Sequence, residues 1–256
     1  MWDPTRYLTY ADERARPFHE LLSRVRAERP ATVVDLGCGP GTLTATLADR
    51  WPAARVVGID SSTEMIAAAK PLERPNLQFT LGTVKEWRPQ RPVDVIVSNA
   101  TLQWVPEHRE LLPGLVSALS PVGWLAIQVP GNLDSPSHTI LRDLRLSPRW
   151  RQLVGEGADR HLAVAEPQQY LHQLAELDCA VDVWETTYFH VLNGPDPVFE
   201  WMSGTGLRPV LAALDESHRT QFGNELRERL RGAYPSQRYG TVFPFRRIFV
   251  VAQRAA

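Results

Sequence analysis

Three glycines and two aspartates in the first quarter of the chain are the residues best suited to hold a ligand. The segment VVDLGCGPGTLTATL places Gly37, Gly39 and Gly41 after an apolar run that contains Asp35. Glycines at a strand-to-helix turn let a ligand approach the backbone closely, although an ordinary turn can carry the same pattern. Asp60 ends the next apolar run, 19 residues after Gly41 (60 − 41), where a carboxylate can accept both hydroxyls of a ribose.

The spacing of these glycines separates two classes of nucleotide ligand. The dinucleotide fingerprint G-x-G-x-x-G places a pyrophosphate at the helix N-terminus. Here the third glycine comes one residue early, and Thr42 stands at the expected position. Asp35 adds a negative charge beside the turn, which disfavours a pyrophosphate and favours a positive amino group. S-adenosyl-L-methionine has a ribose, an α-amino group and no phosphate, so the residues favour this cofactor over NAD or ATP.

Alternating strand and helix patterns in the first half must position this turn. Five apolar runs predict buried strands: TVVDLG, ARVVGID, LQFTLG, VDVIVSNA and GWLAIQVP. Helices are predicted up to about Trp51, from Ser61 to Lys70, and from about Glu107 to Leu119. The second helix opens with Ser61 and Glu64 at the spacing of a capping box. Strands that alternate with helices predict an α/β fold with a parallel sheet covered on both faces.

After Pro130 this alternation breaks. AVDVWETTYFH and FPFRRIFVVAQ predict two late strands, and a helical excursion lies between about Gly194 and Tyr239. Insertions after strand ends crowd the carboxyl edge of the sheet, where open α/β folds bind ligands. We expect one domain over residues 1–256, with a cofactor-binding core at 30–130 and substrate-covering insertions at 131–165 and 194–240.

The bulk composition excludes several classes of protein. The chain has 256 residues, 43% of them hydrophobic, which suits one large α/β domain. A net charge of −1 gives no reason to expect a nucleic acid or an acidic membrane as partner. Two cysteines are too few for a disulfide framework or a metal site, so no metal is expected. The sequence has no signal-peptide pattern and no apolar run of about 18 residues, which predicts a cytoplasmic protein.

The motifs VVDLGCGPG and VVGIDSSTEM resemble those of class I S-adenosylmethionine-dependent methyltransferases over about residues 30–130. This resemblance implies a Rossmann-like, mostly parallel sheet with an antiparallel last strand. It also implies an N-terminal lid, residues 1–29, that folds over the cofactor. The implied cofactor-binding residues are Asp35, Gly37, Gly39 and Gly41 around the methionine part, Asp60 on the ribose, Ser61 and Met65 beside the adenosine, and Asn99 through its backbone near the reacting methyl.

One position departs from that family pattern. Many such enzymes carry an acid after the third strand that accepts from the adenine amino group. In LGTVKEW the corresponding residue is Thr83, whose hydroxyl accepts a hydrogen bond without charge. Glu86 is an alternative acceptor, and the sequence leaves open which of the two serves.

A narrower resemblance spans nearly the whole chain. The segments RYLTYADERARPFHELL, SNATLQWVPEH, WMSGTGLRP and FPFRRIFVVAQR resemble the trans-aconitate 2-methyltransferase family, which esterifies one carboxylate of a planar tricarboxylic acid. A carboxylate has a pKa of about 4, so it is ionised at neutral pH and can attack a sulfonium methyl without a general base. We therefore expect no catalytic side chain, only proximity, alignment and desolvation. The products would be the monomethyl ester and S-adenosyl-L-homocysteine.

A trianionic acceptor requires cations, and arginine offers carboxylates a planar fork. Arg208 and Arg247 lie among apolar residues, which favours their burial with a partner over a solvated surface role. Arg246 and Arg247 are adjacent on a strand and face opposite sides, so at most one of them serves a given site. The full set of predicted substrate-binding residues is Tyr7, Tyr10, Arg14, Trp104, His138, Arg208 and Arg247. Trp104 is expected near the sulfonium, which an aromatic face can favour.

Three other functions remain open from the sequence. A methyltransferase for a phenol or quinone precursor would have the same fold but would need a base near the acceptor. A tRNA methyltransferase should show a basic stripe or an added module, which the balance of 28 Lys+Arg against 29 Asp+Glu disfavours. A non-catalytic cofactor-binding module would bind the cofactor without turnover. The sequence leaves open which carboxylate reacts, the oligomeric state and the physiological role.

Overall fold

The computed structural model describes residues 11–155, 164–204 and 206–256, with only the backbone described for residues 11–14. Within these residues, eight strands form one sheet in the order β3-β2-β1-β4-β5-β8-β6, with β7 paired to β8. The strands are β1 Thr32–Leu36, β2 Arg55–Asp60, β3 Leu77–Leu81, β4 Val93–Asn99, β5 Leu119–Pro130, β6 Cys179–Leu192, β7 Ser236–Gln237 and β8 Gly240–Arg254.

The helices follow the strands as the sequence predicts. They are α1 Ala11–Ser23, α2 Thr42–Arg50, α3 Thr63–Ala69, α4 His108–Ser117, α5 Pro136–Leu146, α6 Pro148–Val154, α7 Pro167–Ala175, α8 Pro197–Ser203, α9 Arg208–Ala213 and α10 Glu216–Ala233. Strands β1 to β5 are parallel, and β8 runs antiparallel to β5. The predicted mostly parallel sheet with an antiparallel last strand is confirmed.

The chain divides into two compact units. Of the described residues, the first unit contains 11–130, 164–186 and 247–256, and the second contains 131–155, 187–204 and 206–246. The second unit falls in the part of the chain where the sequence predicts insertions. No described helix is both long enough and apolar enough to cross a membrane.

One face of the sheet in the first unit carries the main core. Val34, Ile96, Ile127 and Val250 belong to a buried cluster that also includes Leu112 and Leu115 of α4 and Tyr170 and Leu174 of α7. Because side chains alternate along a strand, the next residues of the same strands point to the opposite face. Those residues include the polar groups at the carboxyl edge.

The start of α3 differs from the prediction. The N-cap is Ser62, not Ser61, and its hydroxyl accepts from the Met65 amide at 3.2 Å. The cause is Asp60, whose Oδ1 accepts from the Ser62 amide at 2.9 Å and keeps Ser61 outside the helix. The predicted capping box of Ser61 and Glu64 is therefore wrong: the N-cap lies one residue later, and its N3 residue is Met65, whose side chain cannot complete a capping box.

Candidate active site

The glycine turn after β1 is fastened to β2 by its backbone. Gly37, Gly39 and Gly41 have φ values of +86°, +55° and +80°, a region that favours glycine. The amides of Gly37 and Cys38 donate to the carbonyl of Ile59 at 2.7 and 3.0 Å. The turn is thus held beside the end of β2.

The three glycines differ in what a Cβ atom at their position would contact. A Cβ at Gly37 would lie 2.0 Å from the Thr101 hydroxyl, and one at Gly41 would lie 2.6 Å from the ring of Phe79. A Cβ at Gly39 would meet no described atom within 4 Å. Gly39 is therefore the point of the turn that a ligand can approach, whereas Gly37 and Gly41 are required by the packing of the protein itself. The sequence pattern does not distinguish these roles.

Asp60 lies at the end of β2 with both carboxylate oxygens oriented. Oδ2 accepts from the amide of Gly39, and Oδ1 accepts from the amide of Ser62, each at 2.9 Å. A carboxylate oxygen can accept more than one hydrogen bond. The side chain therefore has the capacity to accept the two hydroxyls of a ribose beside Gly39.

Asp35 is a buried carboxyl group, with 3% of its surface exposed. The Thr44 hydroxyl of α2 donates to its Oδ2 at 2.6 Å. Burial raises the pKa of Asp35 to about 7; the Thr44 hydrogen bond lowers the pKa, and the nearby charge of Asp60 raises it. A cationic ligand group would favour the ionised form, which fits the predicted role beside an amino group.

Asn99 offers its side chain as well as its backbone. Its carbonyl oxygen accepts from the Thr101 hydroxyl at 3.2 Å. Its side-chain Oδ1 is buried, and no described residue donates to it. A buried acceptor of this kind favours a ligand donor. The side chain is therefore a candidate contact in addition to the backbone contact that the family resemblance implies.

Strand register places five polar side chains on one face at the carboxyl edge. Asp35 pairs laterally with Gly58 of β2 and Val97 of β4, and Asn99 pairs with Gln128 of β5. Pro130 of β5 pairs with Arg247. Every second residue of a strand points to the same face of the sheet. The side chains on this face therefore form a polar row, in the order of their strands: Asp60, Asp35, Asn99, Gln128 and Arg247.

Gln128 is the member of the polar row that was not predicted. It is fully buried, and its Oε1 accepts from Nη1 of Arg247 at 3.2 Å. Arg247 itself is 4% exposed, so the predicted burial of this arginine with a partner is found. The sequence signal for Gln128 was a single polar residue within the apolar run LAIQVP.

The remaining predicted residues of the first unit lie at the same ends of the strands. Ser61 is exposed after β2, Met65 is buried in α3, and Trp104 is half-buried in a short helix after β4. The Thr83 hydroxyl donates to Glu86 Oε2 at 2.9 Å, which brings the two alternative adenine acceptors together. Their roles toward a ligand stay predictions.

Arg208 and His138 belong to the second unit. Arg208 begins α9, and His138 lies in α5 with its Nδ1 3.2 Å from the Ser137 hydroxyl. Burial lowers the pKa of His138 to about 4. Tyr7 and Tyr10 lie outside the described residues, as does the side chain of Arg14. The described part of the chain contains no cluster of three metal-ligating side chains.

Comparison with known proteins places the chain in a family. Residues 7–182 match the family model described as a methyltransferase domain. A trans-aconitate 2-methyltransferase of Rhodococcus jostii is 53% identical over 99% of both chains. A second, from Streptomyces avermitilis, is 51% identical over 100% of this chain and 97% of its own. The chain belongs to the trans-aconitate 2-methyltransferase family. It is an S-adenosyl-L-methionine-dependent methyltransferase.

A solved structure supports the fold of this family member. Phosphoethanolamine N-methyltransferase 2 of Haemonchus contortus, in complex with S-adenosyl-L-methionine, matches 94% of this chain and 53% of its own with a TM-score of 0.57. Its sequence identity is 15%, so this likeness concerns the fold alone. The open side of Gly39, the acceptors of Asp60 and Asp35, and Oδ1 of Asn99 fit a cofactor with hydroxyl and ammonium donors.

Proposed function

We propose that this methyltransferase transfers the methyl group of S-adenosyl-L-methionine to one carboxylate of trans-aconitate and forms the monomethyl ester. The observation that carries the proposal is the 53% identity over 99% of both chains with a trans-aconitate 2-methyltransferase. Arg247 and the acceptors at the carboxyl edge of the sheet give this chemistry a physical basis.

The cofactor would be held by the part of the polar row that offers oxygen acceptors, namely Asp60, Asp35 and Asn99. Asp60 would accept the ribose hydroxyls, and Asp35 and Asn99 would face the α-ammonium group. Thr83 or Glu86, which lie side by side, would accept from the adenine amino group. When bound, the cofactor supplies an electrophilic methyl group on a sulfonium. Gly39 would leave room for it along the turn.

The acceptor would be held by the part of the polar row that offers N–H donors, namely Gln128 and Arg247. Gln128 and Arg247 present donors from a buried position, where charge-assisted hydrogen bonds are strong because water is excluded. Arg208 of the second unit is the other predicted cation. Gln128 and Arg247 would bind a carboxylate that is not methylated and hold the reacting carboxylate in line with the methyl group, while a contact of Arg208 with the acceptor stays a prediction. The chain would then act by orientation and desolvation.

The alternative phenol or quinone-precursor acceptor needs a general base, and two histidines, the half-buried His138 and the buried His108, are poorly suited to that task. His138 has a pKa of about 4, far below the pKa of about 10 for a phenol. His108 is 2.7 Å from the Tyr170 hydroxyl through Nε2 and 3.0 Å from the Val105 carbonyl through Nδ1. Both observations favour an acceptor that is already ionised.

A small-molecule acceptor also agrees with the charge of the chain. The net charge is −1, which favours a metabolite over a nucleic acid as the partner. We place the enzyme in the cytoplasm, where the cofactor and small tricarboxylic acids are both dissolved.

Arginine-to-lysine variants test the proposed acceptor site. Arg247→Lys and Arg208→Lys keep the charge but lose the planar fork, so kcat/KM for trans-aconitate should fall by about 10–100-fold. Affinity for S-adenosyl-L-homocysteine should stay close to that of the parent. Arg254→Lys is the matched control, since Arg254 lies at the opposite end of β8 and donates to the carbonyls of Ser117 and Leu119. Parent-like kinetics in both variants would contradict the proposed arginine clamp.

A further inference from the structure

The side-chain amide of Gln128 has a defined orientation. A guanidinium group only donates hydrogen bonds, so the 3.2 Å contact with Arg247 identifies the atom nearest Nη1 as Oε1. The other end of the amide is therefore Nε2, a donor. Nε2 is buried, and no described residue accepts a hydrogen bond from it. A fully buried donor in this state favours an acceptor supplied by a ligand.

Gln128 and Arg247 together form a surface of donors. The acceptor oxygen of Gln128 is engaged by Arg247, and a guanidinium has no acceptor. What this pair can offer a ligand is N–H groups and one positive charge. That combination complements a carboxylate and disfavours an ammonium group or a cation.

The polar row changes character along its length. The side chains of Asp60, Asp35 and Asn99 offer oxygen acceptors on β2, β1 and β4, whereas Gln128 and Arg247 offer donors on β5 and β8. Neighbouring strands are about 4.8 Å apart, so Gln128 lies roughly 14 Å from Asp60 across three strand spacings. A cofactor whose ribose is at Asp60 and whose ammonium is at Asp35 and Asn99 leaves the far end of the row to the acceptor.

We propose that Gln128 is a specificity-determining residue whose Nε2 donates to a carboxylate of the acceptor, one that is not methylated, beside the Arg247 guanidinium. This inference rests on the proposed function of the enzyme as a carboxyl methyltransferase. The bond from Arg247 to Oε1 prevents the amide from turning its oxygen toward the acceptor, where the partial negative charge of that oxygen would repel the carboxylate. The pair thereby selects an acceptor with more than one carboxylate.

Two substitutions separate the donor from the shape of the side chain. Gln128→Met keeps an unbranched buried chain and removes the amide, so the dissociation constant of trans-aconitate for the enzyme loaded with S-adenosyl-L-homocysteine should rise by about 10–100-fold. Gln128→Glu places a carboxylate against Arg247 and should weaken binding further. KM should rise correspondingly, and a monocarboxylate acceptor should be affected much less. Affinity for S-adenosyl-L-homocysteine alone should remain that of the parent.

Gln253→Met is the matched control. Gln253 also lies on β8, but it pairs with Trp124 near the opposite end of the β5–β8 ladder and donates to the carbonyl of Val122 at 3.1 Å. This variant should keep parent-like binding and kinetics. Thermal unfolding of all three variants reports whether a change in affinity accompanies a loss of folded protein.

Each remaining outcome overturns the inference. If the parent binds and methylates trans-aconitate and Gln128→Met does the same, Gln128 does not contact the acceptor, and the proposed function stands. If Gln128→Met lowers the affinity for S-adenosyl-L-homocysteine and leaves the affinity for trans-aconitate unchanged, Gln128 contacts the carboxylate of the cofactor and not that of the acceptor. If Gln128→Met lowers only thermal stability, the residue is structural. If the parent binds no carboxylate acceptor at all, the proposed function and this inference fail together.

Discussion

Asp60 holds two backbone amides and is also the predicted ribose-binding carboxylate. Its oxygens hold the amides of Gly39 and Ser62 and would accept the ribose hydroxyls of the cofactor. We predict that Asp60→Ala weakens the binding of S-adenosyl-L-homocysteine by about 1.5–3 kcal/mol, because charge-assisted hydrogen bonds are lost. Calorimetry measures this change in binding free energy.

Asp94→Asn is the control for Asp60. Asp94 also binds backbone amides, those of Ala31 and Thr32 at 2.7 and 3.0 Å, but it lies at the amino end of β4. Its substitution should leave cofactor affinity unchanged. Unaltered affinity in Asp60→Ala would remove Asp60 from the site.

Asp35 should make cofactor binding depend on pH. Its pKa is raised to about 7 by burial, and a cationic ammonium would lower it. Binding of S-adenosyl-L-homocysteine near pH 6.5 should therefore release protons, which calorimetry detects as a dependence of the heat on the buffer. Thr44→Val removes the donor that stabilises the carboxylate, so the midpoint of this dependence should move to higher pH. Heats that are the same in every buffer would argue against this role.

Ionisation of Asp35 should favour cofactor binding but should lower the stability of the folded protein. The folded-state pKa of about 7 lies above the ordinary value of 3.8, so the folded protein binds more protons than the unfolded chain between these values. Its contribution to stability is therefore present below pH 3.8 and is lost as the pH rises through about 7. Asp35→Asn should be more stable than the parent at pH 8 in denaturant titrations while binding the cofactor more weakly. Equal stability of Asp35→Asn and the parent at pH 8 would mean that burial of the ionised Asp35 carboxylate does not destabilise the folded protein.

At the level of single residues, sequence identified the acids better than their partners. Asp35 and Asp60 are recognisable from their distance to the glycine turn. The hydrogen bond from Arg247 to Gln128 joins residues that are 119 positions apart, and it depends on the register of β5 against β8. The difference between Gly39 and its neighbours likewise depends on Thr101 and Phe79, which come from other strands or loops.

Helix α1 is attached to β6 by a small set of polar contacts. Glu20 accepts from the Trp184 indole at 3.2 Å and from the Thr186 hydroxyl at 2.7 Å. Trp184 in turn stacks on Phe249 with ring centroids 4.9 Å apart. These contacts connect the predicted N-terminal lid to β6, the strand at the edge of the sheet.

We predict that Glu20→Ala lowers the free energy of unfolding by about 1–3 kcal/mol, because two partly buried donors lose their acceptor. Denaturant titration measures this change. The control is Arg24→Gln, which removes an exposed ion pair with Asp182 and should cost less than about 1 kcal/mol. If Glu20→Ala is as stable as Arg24→Gln, the attachment of α1 does not depend on these bonds.

Element types were predictable because apolar runs and turn residues alternate in the first half of the chain. Their ends were less predictable. The sequence predicts β5 from Gly123, but the strand begins at Leu119 and passes through Val122 with a φ of +57°. The cap of α3 moved to Ser62 because the Asp60 side chain captured its amide. Both shifts arise from contacts that local patterns do not encode.

At the scale of the whole molecule, the chain builds two compact units from interleaved segments. Strands β6 and β8 contribute residues to both units, so neither boundary has the composition of a linker. The second unit overlaps the segments where the sequence predicts insertions, and the sequence does not predict that they form a unit of their own. The predicted covering of the substrate by these insertions remains a prediction.

The central claim is that the enzyme methylates a carboxylate of trans-aconitate, and a competition experiment tests it most directly. The protein is given methyl-labelled S-adenosyl-L-methionine and an equimolar mixture of trans-aconitate, cis-aconitate, citrate and a phenol, and the labelled products are identified by mass spectrometry and NMR. We predict one dominant product, a monomethyl ester of trans-aconitate, with a kcat at saturating cofactor that is independent of pH between 6 and 9 because the acceptor needs no base. A labelled phenyl ether as the main product, with a rate that rises with pH, would contradict the claim.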